Sequence, residues 1–203
     1  MPKKGLTVWF TGLSAAGKTT IALAVEKILK GRGIKVERLD GDTVRKNLTK
    51  DLGFSKEDRD RNIERVSFVA MLLTRNDVIV LCSFISPYRE ERNKAKATIG
   101  SFVEVYVKAS VEECSKRDPK GLYKKALAGE IEHFTGVSDP YEEPIQPDLI
   151  CNTLIETEEE SVQKVITFLE ENDYIEKNDS PEDVYSDEER EKVQKRLEDL
   201  GYI

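Results

Sequence analysis

Leu6-Thr-Val-Trp-Phe-Thr-Gly12-Leu-Ser-Ala-Ala-Gly17-Lys18-Thr19-Thr20 is the stretch that decides the fold. Its first six residues, LTVWFT, form a short apolar run that predicts a buried strand. Residues 20–30 (TIALAVEKILK) place apolar side chains at helical spacing, and Gly31 and Gly33 end that helix. Between strand and helix, Gly12 to Thr19 fits G-x-x-x-x-G-K-[ST]. Backbone amides of a tight loop at a helix N-terminus point at phosphate oxygens, where the helix dipole adds favourable field. Lys18 then neutralises β- and γ-phosphates as a point charge, and the Thr19 hydroxyl ligates Mg²⁺. A glycine-rich turn without a ligand is the bland alternative.

The same alternation continues outward. Residues 34–39 (IKVERL), 77–84 (DVIVLCSF), 102–107 (FVEVYV) and 149–152 read as strands, with 77–84 the most apolar and therefore expected at the centre of the sheet. Residues 43–48, 55–75 and 88–98 read as helices, and Ser110-Val-Glu-Glu113 and Thr157-Glu-Glu-Glu160 are capping-box patterns that open two more. Alternation of this kind predicts an α/β fold of three layers, a central parallel sheet with helices on both faces. Residues 118–148 hold four of the seven prolines and little periodicity, and read as a long loop or lid. Residues 176–203 read as an acidic linker and a C-terminal helix capped at Ser186, beyond a main domain of 1–175.

Composition narrows the function. The 203-residue chain carries a net charge of −7, of which −5 falls in residues 176–203, so the body is nearly neutral and lacks the positive field of a nucleic-acid binder. No apolar run approaches the ~18 residues of a membrane helix, and no secretion signal is evident, so the chain is expected in the cytoplasm. Cys82, Cys114 and Cys151 are widely spaced and odd in number, which suits reduced, buried thiols. His133 is the sole histidine, too few for a His-rich metal centre.

In an open parallel sheet, ligands lie beyond the carboxyl ends of the strands. There the sequence places Leu39-Asp40-Gly41-Asp42-Thr43-Val44-Arg45, whose carboxylates either serve Mg²⁺ and an attacking hydroxyl or are plain turn residues. Gly53-Phe54-Ser55 opens a helix rich in arginine; Phe54 suits a flat anionic ligand or acts as a hydrophobic staple. Ser83-Phe84-Ile85-Ser86-Pro87-Tyr88-Arg89 follows the third strand, and the lid carries basic and aromatic residues able to close over nucleotides and exclude water.

The phosphate loop, LDGDTVR, GFSKEDRDRNI, SFISPYR, FVEVYV, RDPKGLYKKA and FTGVSDPYE occur in an order that resembles the adenylylsulfate kinases, across about residues 3–175. The resemblance implies a P-loop kinase fold and transfer of the γ-phosphate of MgATP to the 3′-hydroxyl of adenosine 5′-phosphosulfate. It assigns Gly12, Leu13, Ser14, Ala15, Ala16, Gly17, Lys18, Thr19 and Thr20 to ATP, with Arg117 against its adenine. Asp42 would act with Lys18 in catalysis, orienting or deprotonating the 3′-hydroxyl, and with Thr19 at Mg²⁺. Arg45, Arg59 and Asn62 would hold the phosphosulfate substrate, Phe54 and Phe134 would sandwich its adenine, Ile85 and Ser86 would line its site, and Lys120 would close the lid.

Family resemblance also implies a homodimer and functional coupling to an ATP sulfurylase. Two departures stand out: Ala15 where glycine is frequent, and Glu64 in place of a common arginine. No cysteine precedes the phosphate loop, so a thiol switch there has no counterpart. A kinase for another small acceptor and a nucleotide-binding regulator without turnover are the competing readings.

Overall fold

The structure is a computed structural model that describes residues 4–177. The expected linker and final helix at 176–203 therefore lie almost wholly outside the described residues. Five parallel strands, β1 (Leu6–Thr11), β2 (Val36–Asp40), β3 (Ile79–Ser83), β4 (Phe102–Lys108) and β5 (Leu149–Asn152), form one sheet in the order β2-β3-β1-β4-β5. The helices are α1 (Lys18–Gly31), α2 (Gly41–Lys46), α3 (Lys56–Thr74), α4 (Arg89–Ile99), α5 (Val111–Arg117), α6 (Leu122–Leu127) and α7 (Glu158–Glu171).

Alternation along each strand sorts the core into two layers. Leu6, Val8 and Phe10 of β1, Ile79 and Leu81 of β3, and Val103, Val105 and Val107 of β4 pack under α1 and α7. Trp9, Val80, Cys82 and Phe102 face the other way, against Ile63, Val66 and Ala70 of α3 and Ala95 and Ile99 of α4. Trp9 lies between Phe84 and Phe102, with ring centroids 5.6 and 5.7 Å away. This is the three-layer arrangement the alternation predicts.

Two expectations are corrected. The central strand is β1, not β3, which lies between β1 and β2. Two threonines make β1 look less apolar than it is, but both are fully buried and satisfied: Thr7 shares a 2.7 Å hydrogen bond with Thr74, and Thr11 donates to the Ile85 carbonyl at 2.8 Å. The segment 118–148 is also not a continuous loop, because α6 occupies Leu122–Leu127 and Thr135 bridges to Asp139. The α6 N-cap is Gly121 in the left-handed region, with no side-chain cap to announce the helix.

The topology positions the site. After β1 the chain crosses to β2 on one side, and after β3 it crosses to β4 on the other. The crevice beyond the carboxyl ends of β1 and β3 is thus the topological switch point of the sheet. Cys82, Cys114 and Cys151 are all buried free thiols, each pushed above its ordinary pKa by burial. Among the described residues no helix is long and apolar enough to cross a membrane.

Candidate functional site

A cavity of about 940 Å³ opens at that crevice. Its floor is the loop between β1 and α1. Gly12 lies at φ 149°, and a Cβ there would stand 2.4 Å from the Val107 carbonyl oxygen, so only glycine lets the loop pass β4 so closely. Gly17 caps α1 at φ 105°, and no acidic residue occupies the first turn of α1, leaving its amide end open to an anion. Ala15 also adopts a left-handed conformation, φ 59°, where the sequence departs from glycine.

Lys18 is buried and donates to the Gly12 and Leu13 carbonyls at 3.0 and 2.7 Å, arching its side chain over the loop. Burial lowers its pKa to about 8, partly offset by Cys114 and Asp40. A triphosphate against this ammonium would favour the charged form further. Thr19 Oγ1 donates to Asp40 Oδ2 at 2.8 Å, while Asp40 Oδ1 accepts the Asp42 amide at 3.0 Å as the N-cap of α2. The Asp-Gly-Asp turn thus divides its labour: Asp40 faces the phosphate loop, and Asp42 projects outward, where it pairs with Lys120.

A second wall comes from α2, α3 and the lid. Phe54 is 57% exposed, with the Arg45 guanidinium 4.3 Å from its ring centroid and that of Arg59 6.0 Å away. Arg45 also donates to the Gly53 carbonyl at 3.0 Å. Arg59 is buried and ties the lid down: it donates to Phe54 O at 2.9 Å, to Thr135 Oγ1 at 2.8 Å, and to the His133 carbonyl, with Asp139 at 3.8 Å. Burial lowers the pKa of both arginines, and Arg59 lowers that of Arg45 further. Asn62 accepts from Thr49 at 2.8 Å. Phe134 meets Tyr123 edge-to-face at 4.9 Å, and the Tyr123 hydroxyl donates to the Ser14 carbonyl at 3.1 Å, joining lid to phosphate loop.

The third wall follows β3. Ser86, at φ 41°, accepts from Trp9 Nε1 at 3.0 Å, and its carbonyl accepts from Arg92 Nη1 at 2.7 Å. Arg92 also donates to Glu104 and to the Glu142 carbonyl, both at 2.7 Å, so one buried guanidinium clamps the Ser86 turn to the returning lid. Arg117 donates to Thr153 Oγ1 and O at 3.0 and 2.7 Å, and Thr153 Oγ1 donates to the Ala16 carbonyl at 3.1 Å.

Of the residues singled out from sequence, Ser14, Ala15, Gly17, Lys18, Thr19 and Thr20 line the cavity. So do Asp42, Arg45, Phe54, Arg59 and Asn62, together with Ile85, Ser86, Arg117, Lys120 and Phe134. Gly12, Leu13 and Ala16 do not line it; they shape the loop behind it. Sequence reasoning missed the parts played by Arg92, Tyr123 and Thr153. Thr153, one residue past β5, could have been suspected from its place at a strand's carboxyl end. The sequence points to the Asp40 turn but carries no sign of its contact with Thr19.

Known proteins resemble this chain over most of its length. The family profile described as adenylylsulphate kinase matches residues 4–152. The adenylyl-sulfate kinase of Halothermothrix orenii is 64% identical over 182 residues, covering 90% of this chain and 97% of that one. The adenylyl-sulfate kinase of Rippkaea orientalis is 60% identical over 177 residues, covering 87% and 98%. The APS kinase of Mycobacterium tuberculosis, solved in complex with AMPPNP and APS, superposes with a TM-score of 0.79 at 47% identity, covering 83% of this chain and 99% of that one.

Proposed function

Because the chain belongs to the adenylylsulfate kinase family, we propose that it transfers the γ-phosphate of ATP to the 3′-hydroxyl of adenosine 5′-phosphosulfate. The products are ADP and 3′-phosphoadenosine 5′-phosphosulfate. The observation that carries the reading is one cavity holding both an amide-lined phosphate loop and a separate cationic, aromatic wall around Phe54. A triphosphate and a nucleotide acceptor can lie end to end in it, which suits in-line transfer. The M. tuberculosis relative, solved in complex with AMPPNP and APS, supports the binding of both nucleotides.

In this reading the loop amides from Ser14 to Thr20 and the Lys18 ammonium bind the triphosphate, and Arg117 lies against the ATP adenine. Phe54 and Phe134 flank the acceptor's adenine, while Arg45, Arg59 and Asn62 hold its phosphosulfate. Ile85 and Ser86 shape the acceptor's site. Asp42 accepts the proton of the 3′-hydroxyl as that oxygen attacks phosphorus. Lys120 shifts from Asp42 as substrate enters and closes the lid over it, excluding water that would otherwise take the phosphoryl group.

The residues fit a phosphate-bound Mg²⁺. Thr19 Oγ1 and Asp40 Oδ2 meet at 2.8 Å at the loop, and Asp42 stands two residues further along the chain. Among the described residues no group of three or more Asp, Glu, His or Cys side chains could hold a metal ion; Mg²⁺ bound to a nucleotide is held largely by phosphates and water. When bound, it would offset charge on the transferring phosphoryl group.

Residues 1–175 are proposed as one kinase domain. On the family resemblance, we further propose a cytoplasmic homodimer fed by an ATP sulfurylase; three buried free cysteines suit a reducing compartment. A panel of acceptors tests the activity. ADP release with MgATP should be strong with adenosine 5′-phosphosulfate and weak with AMP, gluconate or shikimate. Preference for one of the others would overturn the assignment.

A further inference from the structure

Ser83 ends β3 directly between Phe10 of β1 and Asp40 of β2 in register. Its side chain shares the sheet face of Ile79 and Leu81, the face covered by α1, and therefore points toward the helix that carries Lys18 and Thr19. Ser83 is 4% exposed and lines the same cavity as Thr19 and Asp40. Its hydroxyl has no hydrogen-bond partner among the described residues. A buried hydroxyl left unpaired costs free energy, and a small polar side chain in that position calls for a partner that arrives with a ligand.

Its surroundings narrow the choice of ligand. Thr19 Oγ1 and Asp40 Oδ2 already hold each other at 2.8 Å. A divalent cation bound to phosphates keeps several waters, which turn their oxygens to the cation and need acceptors for their O–H groups. Ser83 Oγ offers one acceptor on the sheet side of Asp40, where no charged group of its own element competes. We infer that Ser83 Oγ is a positioning group for the hydration shell of the nucleotide's divalent cation, hydrogen-bonded to a cation-bound water that Asp40 also holds. The inference rests on the site's reading as one for MgATP. It assigns Ser83 to the cation and its water, and Thr19 and Lys18 to the cation and phosphates themselves.

The test is calorimetric titration of a non-hydrolysable ATP analogue, with and without Mg²⁺, into wild-type protein and Ser83→Ala. The affinity gained on adding Mg²⁺ should shrink about three- to tenfold in Ser83→Ala, as for loss of one hydrogen bond. Affinity for the metal-free analogue should stay within about twofold, and the ligand-free melting temperature should not fall, because the variant removes an unpaired buried hydroxyl. An unchanged Mg²⁺ increment overturns the inference. So does a lower melting temperature with the increment intact, which would mark Ser83 as structural. If wild-type protein itself binds the analogue without Mg²⁺ dependence, the MgATP reading fails first, and this inference with it.

Discussion

Lys120, in the turn between α5 and α6, forms an ion pair with Asp42, 78 residues earlier in the chain at the start of α2. Lid and acceptor-side carboxylate are therefore in contact before any substrate is considered. Both side chains are more than half exposed, so the pair adds less than about 1 kcal/mol to stability. Its interest is functional: the carboxylate proposed to serve the 3′-hydroxyl is paired with a residue of the segment proposed as a lid.

Asp42→Asn should therefore separate catalysis from folding. We expect kcat to fall by about 10²-fold or more, as for loss of a general base, with the melting temperature little changed. Steady-state rates and thermal denaturation of the same preparation check this. A wild-type rate would remove Asp42 from the mechanism.

The phosphate loop offers a test of backbone strain. Ala15 lies at φ 59°, a conformation that costs an L-residue about 1–2 kcal/mol relative to glycine. Glycine also has a more flexible unfolded state, which returns part of that gain. Ala15→Gly should therefore stabilise the protein by up to about 1 kcal/mol in urea denaturation. Gly12→Ala, whose Cβ would meet the Val107 carbonyl oxygen at 2.4 Å, should destabilise it by more than about 2 kcal/mol.

Lys18 predicts a pH dependence of opposite sign for binding and for stability. Burial holds its pKa at about 8, below the usual 10.5. Between those values the unfolded chain binds more protons than the folded one, so this residue's contribution makes stability rise from pH 8 to 10.5. If the Lys18 ammonium binds the triphosphate as proposed, affinity should fall above pH 8 by up to about tenfold per unit. Lys18→Met should bind weakly at all pH values and lose the slope, measured by titration across pH 7–10.

Arg59 is the fastening point of the lid, through Thr135 and the His133 carbonyl. Arg59→Lys keeps the charge but cannot reproduce the fork. The KM for the acceptor should rise about tenfold or more, while the KM for ATP changes little. Amide hydrogen exchange of residues 133–139 should accelerate in the same variant, and unchanged protection would show that the lid is held elsewhere.

Much of this architecture was readable in the sequence because its signals are local. The strand–loop–helix around Gly12–Thr19 combines an apolar run, a glycine pattern and helical spacing within 25 residues. Ser110 and Thr157 announce α5 and α7 by accepting the amides of Glu113 and Glu160. What was not readable depends on contacts far apart in the chain. The central place of β1 was hidden by Thr7 and Thr11, whose hydroxyls are satisfied by residues 67 and 74 positions away. Helix α6 has no capping side chain to mark it. The Asp-Gly-Asp turn left open which carboxylate faces the phosphate loop. Asp40 does so because its extended N-cap conformation, with Oδ1 on the Asp42 amide, leaves Oδ2 for Thr19. Arg92 lay in a charged helix as one cation among several, and only the fold reveals it as the buried clamp on Ser86.

Phosphorus NMR of the nucleotide formed from MgATP and adenosine 5′-phosphosulfate tests the central claim most directly. A new phosphomonoester on the 3′-oxygen, with one ADP per ester and the phosphosulfate intact, is the predicted result. Phosphate released to water, or an ester at any other position, would contradict it.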